Sequence, residues 1–178
     1  NDWHSDVTWR LEPSLGSILR GRIIPAVGGD TLFSDMYAAY EGLPDDVKET
    51  IEGRTAKHSF VHNFGKRMDD EKRAAFLEQY PEPQHHVVRT HAETGRRGIY
   101  VNAAFTVSID DMDPDESGRL WRFLYRQASV AGYQCRFRWA KGSVAIWDNL
   151  ATWHQAINDY HGFRRLMHRV TIEGVELQ

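Results

Sequence analysis

The chain has 178 residues, of which 41% are hydrophobic and 26% are charged, and its formal net charge is −3. This length suits one domain with a hydrophobic core, residues 1–178, and is too short for two domains of ordinary size. The weakly acidic balance gives no electrostatic reason to expect nucleic-acid binding, and no apolar run reaches the roughly 18 residues of a membrane span. Because Cys135 is the only cysteine, no intrachain disulfide can form, and we expect a cytoplasmic protein.

The first half of the chain alternates predicted strands and short helices. Strands are predicted where β-branched and apolar residues run between turn residues, and helices where apolar residues recur at helical spacing. Gly28 and Gly29 mark a turn between the first two strands. The predicted strands are 17–24, 31–34, 58–61, 86–90 and 98–101, and the predicted helices are 36–43, 44–51 and 69–80, the last a surface helix or lid.

The second half opens with the clearest helix start in the chain. Asp113 suits the N-cap, Pro114 the first helical position and Glu116 the third. This helix should extend to about residue 130, and the side chains expected to face the core are Leu120, Phe123, Leu124 and Ala128. Strands are then predicted at 134–139, 144–147, 152–156 and 166–172. Many short strands with few helices favour a β-sandwich or a distorted barrel with helical inserts.

A histidine and a carboxylate stand two residues apart near the start of the chain, at His4 and Asp6. On a β-strand these side chains would point to the same face. With one imidazole from a distant strand they would form the three-ligand face that non-haem iron enzymes use. A His-x-Asp pair is common, and the alternative is two solvated polar groups at a strand end. The apolar neighbours of this pair favour a metal site.

The strongest candidate for the third ligand is His154, which begins a predicted strand after the turn residues Asp148 and Asn149. Such a position lies at a barrel mouth, where ligands gather. The main competing histidines are His85, His86 and His91, and an ordinary surface histidine is the alternative for each. Adjacent side chains on a strand point to opposite faces, so His85 and His86 are poorly placed to share a metal.

Two arginines lie on one face of the last predicted strand. Arg165, Met167, Arg169 and Thr171 alternate with a second face of Leu166, His168, Val170 and Ile172. Paired guanidinium groups on a largely apolar strand favour the binding of a carboxylate or sulfonate. Salt bridges to the many carboxylates of the chain are an equally good explanation of the spacing.

Two further features have structural interpretations. The segment Gly28–Thr31 lacks the lysine and the spacing of a phosphate loop, so nucleotide binding is rejected and Thr31 alone would be structural. Three aromatic residues are better explained as core residues than as substrate contacts: Phe105, Trp147 and Trp153.

The motifs combine into a known pattern. Trp3-His4-Ser5-Asp6, Gly28-Gly29-Asp30-Thr31-Leu32, Trp147-Asp148-Asn149, His154 and Arg165-Leu-Met-His-Arg169 occur in this order and spacing. The chain closely resembles the taurine dioxygenase (TauD/TfdA) family of Fe(II)/2-oxoglutarate-dependent dioxygenases over essentially its whole length. The resemblance implies a mainly β fold with helical inserts, the double-stranded β-helix or cupin-like jelly roll.

The resemblance also implies a role for individual residues. His4, Asp6 and His154 would ligate Fe(II). Arg165, eleven residues after His154, would bind the distal carboxylate of the cosubstrate 2-oxoglutarate with help from the Thr31 hydroxyl. Arg169 matches the arginine that holds the substrate sulfonate in the taurine enzyme. The residues expected to line the substrate pocket are Val7, Asn63, Phe64 and Phe105, and Asn63 replaces a serine of the taurine enzyme, which argues against taurine itself.

The implied activity is the O2-dependent hydroxylation of a small anion such as a sulfonate, a sulfate ester or an aryloxy acid, with release of succinate and CO2. A non-catalytic dicarboxylate-binding protein of the same fold, using Arg165 and Arg169, is the alternative function. A closed zinc site is disfavoured, since such sites take four ligands, usually including cysteine. The resemblance implies a small-molecule partner, leaves a homodimer or homotetramer open, and predicts that the domain is N-terminally incomplete, without a sheet strand that precedes His4 in the family.

Overall fold

The computed structural model describes residues 2–174, and within this range the chain forms eleven strands and five α-helices. The strands are β1 (Gly16–Ile23), β2 (Thr31–Asp35), β3 (Thr55–His58), β4 (Gln84–His86), β5 (Val88–Thr90), β6 (Arg97–Ile99), β7 (Thr106–Ile109), β8 (Gln134–Phe137), β9 (Val144–Asp148), β10 (Thr152–Ala156) and β11 (Leu166–Ile172). The helices are α1 (Met36–Glu41), α2 (Asp45–Ile51), α3 (Val61–Phe64), α4 (Asp70–Gln79) and α5 (Pro114–Gln127).

Two three-stranded antiparallel sheets form the frame of the molecule. One has the strand order β11-β1-β9 and the other the order β10-β2-β8. Side chains from both sheets meet in one apolar cluster, so the sheets pack face to face, as in a jelly roll. The cluster consists of Leu19, Ile24, Phe33, Phe137, Trp139, Ala145, Trp147 and Met167.

A second and larger core lies beside this sandwich and holds the helical inserts. The sheet β4-β3-β7 and the hairpin β5-β6 contribute to it together with α1 and α5. Trp153 of β10 is 1% exposed and belongs to this core, which joins the inserts to the sandwich. The expectation of a mainly β fold with helical inserts is therefore confirmed. No helix within residues 2–174 is long and apolar enough to cross a membrane.

The start of α5 agrees with the sequence prediction. The Asp113 carboxylate accepts hydrogen bonds from the backbone N–H groups of Asp115 and Glu116, and Pro114 opens the helix. Leu124 and Ala128 are buried as expected, whereas Phe123 is 38% exposed, so its assignment to the core is wrong. Phe123 lies about 100° around the helix from Leu124, which points it away from the buried face.

Two strand predictions also need correction. The strand expected at 58–61 lies earlier, as β3, and residues 61–64 form α3 instead. The backbone of residues 55–58 is paired on both sides, by β4 and β7, and β7 itself was not predicted. In β9, Val144 and Ile146 are exposed while Ala145 and Trp147 are buried, because side chains alternate along the strand and only one face packs in the cluster between the sheets.

Candidate metal centre

Three candidate ligands from distant parts of the chain converge at one point. His4, Asp6 and His154 each offer a ligand atom, and these atoms all lie within 4.8 Å of one another. The Nε2 atoms of both histidines are 3.8 Å from Oδ1 of Asp6, and the two imidazole rings are 4.3 Å apart between centroids. Among the described residues, no other group of three or more histidine, cysteine or acidic side chains is arranged in this way.

Backbone pairing brings His4 to His154. The two residues form an isolated antiparallel bridge in which His4 N donates to His154 O at 3.1 Å and His154 N donates to His4 O at 2.8 Å. The expectation of a strand that carries both His4 and Asp6 is wrong, since residues 6–9 form a turn. The side chains of Asp6 and His4 are therefore brought together by the turn, and not by the alternation of side chains along a strand.

The turn after Asp6 contains an unusual backbone conformation. Val7 has a φ of +59°, a region that β-branched residues rarely occupy, and Arg10 N closes the turn by donating to Val7 O at 3.0 Å. Such a conformation costs on the order of 1–3 kcal/mol and persists only where surrounding contacts hold it. The position of Asp6 thus depends on the packing around this turn.

Both oxygens of the Asp6 carboxylate have partners. Ser17 Oγ, buried on β1, donates to Oδ2 at 2.9 Å, and Arg169 Nη1 on β11 donates to Oδ1 at 3.2 Å. The carboxylate is thereby oriented with Oδ1 toward the two histidines. Ser17 was missed by sequence reasoning, because a lone serine in a strand carries no signal until the strand's neighbours are known.

The low pKa of His154 and the hydrogen bond of His4 suit metal binding. Burial lowers the pKa of His154 to about 3; nearby His4 and Arg169 act in the same direction, and Asp6 opposes them. His154 is therefore neutral near pH 7 and keeps a lone pair for a metal. His4 Nδ1 lies 2.8 Å from the carbonyl oxygen of Asp2, and a hydrogen bond donated to that carbonyl leaves the Nε2 lone pair facing Asp6.

This donor set fits a catalytic metal such as iron. Two imidazole nitrogens and one carboxylate on one side leave the other positions of a metal open. A closed structural zinc site needs four ligands, and the described residues supply three. The buried Nδ1 of His154 has no hydrogen-bond partner within residues 2–174, whereas its Nε2 is the atom that faces Asp6.

The competing histidines lie elsewhere. His91 Nε2 is 2.8 Å from Oδ2 of Asp148, and His85 Nε2 is 3.0 Å from the carbonyl oxygen of Arg10. His85 is buried while His86 is exposed, in agreement with their opposite faces on a strand. The structure thus selects the pair His4 and His154 from the nine histidines of the chain.

The two residues expected to bind the cosubstrate, Arg165 and Thr31, both lie beside the loop that contains Gly28 and Gly29. Arg165 Nε donates to the carbonyl oxygen of Gly29 at 3.1 Å, and Thr31 begins β2 two residues later. In the register of β2 and β10, Thr31 pairs with Ala156 and Phe33 pairs with His154. Thr31 therefore lies on the same face of the sheet as His154, two residue pairs along. Its hydroxyl oxygen accepts a hydrogen bond from Trp139 Nε1 at 3.0 Å.

The two glycines of this loop have a reason to be glycines. Gly28 and Gly29 have φ values of +79° and +75°. A Cβ on Gly29 would lie 3.0 Å from Arg165 Cδ, and a Cβ on Gly28 would lie 2.5 Å from Asp159 Oδ1. Asp159 in turn accepts a hydrogen bond from Gly29 N at 2.7 Å. The predicted turn is confirmed, and it also provides the space in which the Arg165 side chain lies.

On β11 the face that carries Met167 and Arg169 lies toward the candidate site. Arg169 reaches Asp6, and Met167 packs in the cluster between the sheets. On the opposite face Val170 is 63% exposed. The predicted alternation is thus present, with the arginine face toward the candidate site.

The residues expected to line the substrate pocket form a second group. The Phe64 and Phe105 rings are in contact at 5.7 Å between centroids, and Asn63 Nδ2 donates to the carbonyl oxygens of Ala103 at 3.1 Å and Ala104 at 2.9 Å. The amide group of Asn63 therefore holds the turn that carries Phe105. Val7 lies in the turn at residues 6–9.

The two tryptophans expected in the core are both buried. Trp153 is core, and Trp147 is buried between the sheets with its ring 5.0 Å from that of His154. A cavity of about 820 Å³ opens between β2, β8 and β9, and Phe33 and Trp147 lie in its wall. None of the three candidate ligands lines this cavity, so the ligand geometry and not the cavity locates the site.

Comparison with known proteins agrees with this geometry. The family model described as "Taurine catabolism dioxygenase TauD, TfdA family" matches residues 1–171, a span that contains the candidate ligands and both arginines. The chain belongs to the TauD/TfdA family.

Family members with sequence similarity include enzymes named for sulfate esters. An alkylsulfatase of Acinetobacter baylyi is 34% identical over 98% of this chain and 57% of its own length. An alpha-ketoglutarate-dependent sulfate ester dioxygenase of Pseudomonas putida is also 34% identical, over 98% of this chain and 60% of its own length. The chain thus spans somewhat more than half the length of these relatives.

Solved structures of TauD/TfdA type superpose closely. A taurine dioxygenase from Burkholderia xenovorans matches with a TM-score of 0.85 and 36% identity, over 98% of this chain and 59% of its own. AAD-2 in complex with Mn(II) and N-oxalylglycine matches with a TM-score of 0.88 and 30% identity, over 98% of this chain and 69% of its own. The fold expected from the resemblance is therefore confirmed.

Proposed function

We propose that this chain is the catalytic part of an Fe(II)- and 2-oxoglutarate-dependent dioxygenase that hydroxylates a small anionic organic molecule. The observation that carries the proposal is the convergence of His4, Asp6 and His154 within 4.8 Å in a TauD/TfdA chain. These three side chains would hold the iron. When bound, the metal would supply the redox chemistry by which O2 and 2-oxoglutarate yield succinate, CO2 and a hydroxylated product.

The protein's own contribution begins with the cosubstrate. Arg165 would bind the distal carboxylate of 2-oxoglutarate, because a guanidinium forms paired hydrogen bonds with a carboxylate. The Gly29 carbonyl already orients the Arg165 side chain, and the Thr31 hydroxyl would add a hydrogen bond from the same loop. Thr31 is buried and Arg165 is half-buried, and this burial strengthens the interaction of both side chains with a charged ligand.

Arg169 would hold the anionic group of the substrate. It lies 3.2 Å from Asp6, beside the candidate ligands, so an anion bound there would bring its neighbouring carbon close to the metal. In binding the substrate, Arg169 would exchange its contact with Asp6 for one with the substrate anion. Val7, Phe64 and Phe105 would supply apolar contacts to the rest of the molecule.

A sulfate ester is the substrate class that we propose to test first. Two similar enzymes are named for it, and others are named for sulfonates and phenoxypropionate. Hydroxylation of the carbon that carries the sulfate oxygen gives an unstable product. The bond between that carbon and the sulfate oxygen then breaks, and the products are an aldehyde and sulfate.

The central test is succinate formation by the purified protein with Fe(II), O2 and 2-oxoglutarate, in the presence of alkyl sulfates, sulfonates or aryloxy acids. We expect turnover to require Fe(II) and to be abolished in His154→Ala. Anaerobic addition of 2-oxoglutarate to the Fe(II) protein should give a metal-to-ligand charge-transfer band. If the band forms but no compound is oxidised and no 2-oxoglutarate is consumed, the protein is the non-catalytic binder instead.

The substrate role of Arg169 has its own test. Arg169→Ala should raise the KM for the organic substrate by about tenfold or more, with a much smaller change in 2-oxoglutarate consumption without substrate, since a charged hydrogen bond contributes about 1.5–3 kcal/mol. Arg164→Ala, at an exposed position five residues earlier, is the matched control. Equal loss of both activities in Arg169→Ala would count against a substrate role.

A further inference from the structure

A buried polar cluster joins the turn after Asp6 to the turn that carries Phe105. Thr8 lies in the first turn, and its hydroxyl oxygen accepts a hydrogen bond from Asn102 Nδ2 at 2.9 Å. Asn102 Oδ1 accepts from the backbone N–H groups of Ala104 and Phe105, both at 3.1 Å. Thr8 and Asn102 are both fully buried. One carboxamide thus contacts both turns.

A buried histidine completes this cluster. His58 Nδ1 lies 2.9 Å from Thr8 Oγ1, and its Nε2 lies 3.4 Å from Thr106 Oγ1. Thr106 Oγ1 also accepts from Asn102 N at 2.8 Å. The described residues therefore satisfy the polar groups of Thr8 and Asn102 inside the protein, and both side chains are held in one orientation.

The two turns need such a connection. Residues 6–9 include Val7 at a φ of +59°, a conformation that local sequence does not favour. The two turns are not paired in any sheet, because residues 6–9 lie outside the named strands and Phe105 precedes β7. The Thr8–Asn102 hydrogen bond is a direct side-chain bond between them.

We propose that Thr8 and Asn102 are positioning residues that keep the substrate-facing turn at Phe105 in register with the metal ligand Asp6. This inference rests on the proposed function, since it concerns how the substrate is aligned with the metal. Loss of the Thr8–Asn102 bond would let the two turns move independently. The substrate carbon would then be misaligned, while the metal and 2-oxoglutarate would still bind.

The test compares three variants of similar size. Thr8→Val removes the hydroxyl from the Thr8–Asn102 bond, and Thr8→Ser keeps it. Thr106→Val removes the hydroxyl on the other side of His58, which is also the acceptor of Asn102 N, and leaves the side-chain bond between Thr8 and Asn102 intact. The quantities measured are product formed per succinate, the KM values for organic substrate and 2-oxoglutarate, and the melting temperature.

In Thr8→Val we expect product per succinate to fall by about tenfold, because small misalignments of a reacting carbon have large effects on rate. The KM for 2-oxoglutarate should stay near that of the unmodified protein. Thr8→Ser should keep the ratio of product to succinate near that of the unmodified protein. Thr106→Val should also keep this ratio, even if its melting temperature falls as much as that of Thr8→Val. The proposal is overturned if Thr8→Val and Thr106→Val lower the ratio equally.

Hydrogen exchange supplies a readout that does not depend on activity. Thr8→Val should speed amide exchange in both segments 6–10 and 103–106, whereas Thr106→Val should speed it in the second segment alone. If the effect of Thr8→Val stays within 6–10, the connection does not exist. If the effect reaches 103–106 in a protein that consumes no 2-oxoglutarate, the connection stands and the proposed function fails. If Thr8→Val does not fold, Thr8→Cys takes its place in the test, because sulfur is only a weak acceptor for the hydrogen bond from Asn102.

Discussion

The carboxylate of Asp6 is held at both oxygens by residues from two neighbouring strands. Ser17 of β1 donates to Oδ2, and Arg169 of β11 contacts Oδ1. The serine bond is buried and sets the rotation of the carboxylate, whereas Arg169 is half-exposed and is free to exchange partners. Ser17 therefore acts through Asp6, and removing its hydroxyl tests how far orientation of a ligand governs metal affinity.

Ser17→Ala should weaken binding of Fe(II) or Co(II) about 10- to 100-fold, the usual cost of losing a hydrogen bond to a metal ligand. Anaerobic titration followed by tryptophan fluorescence suits the measurement, since Trp147 lies 5.0 Å from the His154 ring. Ser34→Ala is the matched control, because Ser34 is equally buried and its Oγ has no hydrogen-bond partner within residues 2–174. Equal affinities of the two variants would show that Ser17 does not orient Asp6.

At the scale of elements, the conformation of the loop before β2 sets the position of Arg165, the residue before β11. The Gly28-Gly29 backbone takes positive φ values, and the Arg165 side chain passes against it. Asp159 holds the same loop through Gly29 N. The arginine proposed to bind the cosubstrate is thus positioned by a segment more than 130 residues earlier in the chain.

Gly29→Ala should raise the Kd for 2-oxoglutarate by displacing Arg165, since the new Cβ would approach Cδ at 3.0 Å and Nε at 3.1 Å. Gly95→Ala has the same backbone penalty at a φ of +67°, but its Cβ would meet nothing within 4 Å. Both variants should lose about 1 kcal/mol of stability from backbone strain. Isothermal titration of the metal-loaded protein with N-oxalylglycine should show weaker binding in Gly29→Ala alone; equal affinity in both would refute the role assigned to Gly29.

At the scale of the whole molecule, buried histidines make stability depend on pH. Burial holds the pKa of His58 well below its usual value, with a further contribution from nearby His85. Burial also lowers the pKa of His85, although the carbonyl groups of Arg10 and Thr8 oppose it. Below about pH 6.5 the unfolded chain binds protons at these positions and the folded chain does not. The stability from neutral histidines is therefore present above that pH and is lost as pH falls.

We expect the free energy of unfolding of the metal-free protein to decrease between pH 7 and pH 5.5, by up to about 1.4 kcal/mol per pH unit for each such histidine. Urea denaturation at several pH values measures this slope, and His58→Gln should reduce it. Val87→Ala, at a fully buried apolar position, should lower stability by a similar amount at every pH. A slope unchanged in His58→Gln would exclude His58 as a source.

Much of the site was predictable because its signals are local or depend on fixed spacing. The pair His4 and Asp6, the later His154, and Arg165 eleven residues beyond it suffice to predict a metal centre with its cosubstrate residue. The start of α5 was equally predictable, because Asp113 and Pro114 act on the backbone within one turn. The strand expected to carry His4 and Asp6 was wrong, since the Val7 conformation depends on contacts from outside the segment.

The sequence by itself thus determined the family, the fold and the residue types at the centre. Tertiary structure alone decided which serine orients Asp6, why Gly29 must lack a side chain, and how Thr8 meets Asn102. The physical reason is that these contacts join residues far apart in the chain, from 11 residues for Ser17 and Asp6 to 136 for Gly29 and Arg165. The geometry of these contacts is set by sheet register and by the packing of turns, and neither is determined by the local sequence.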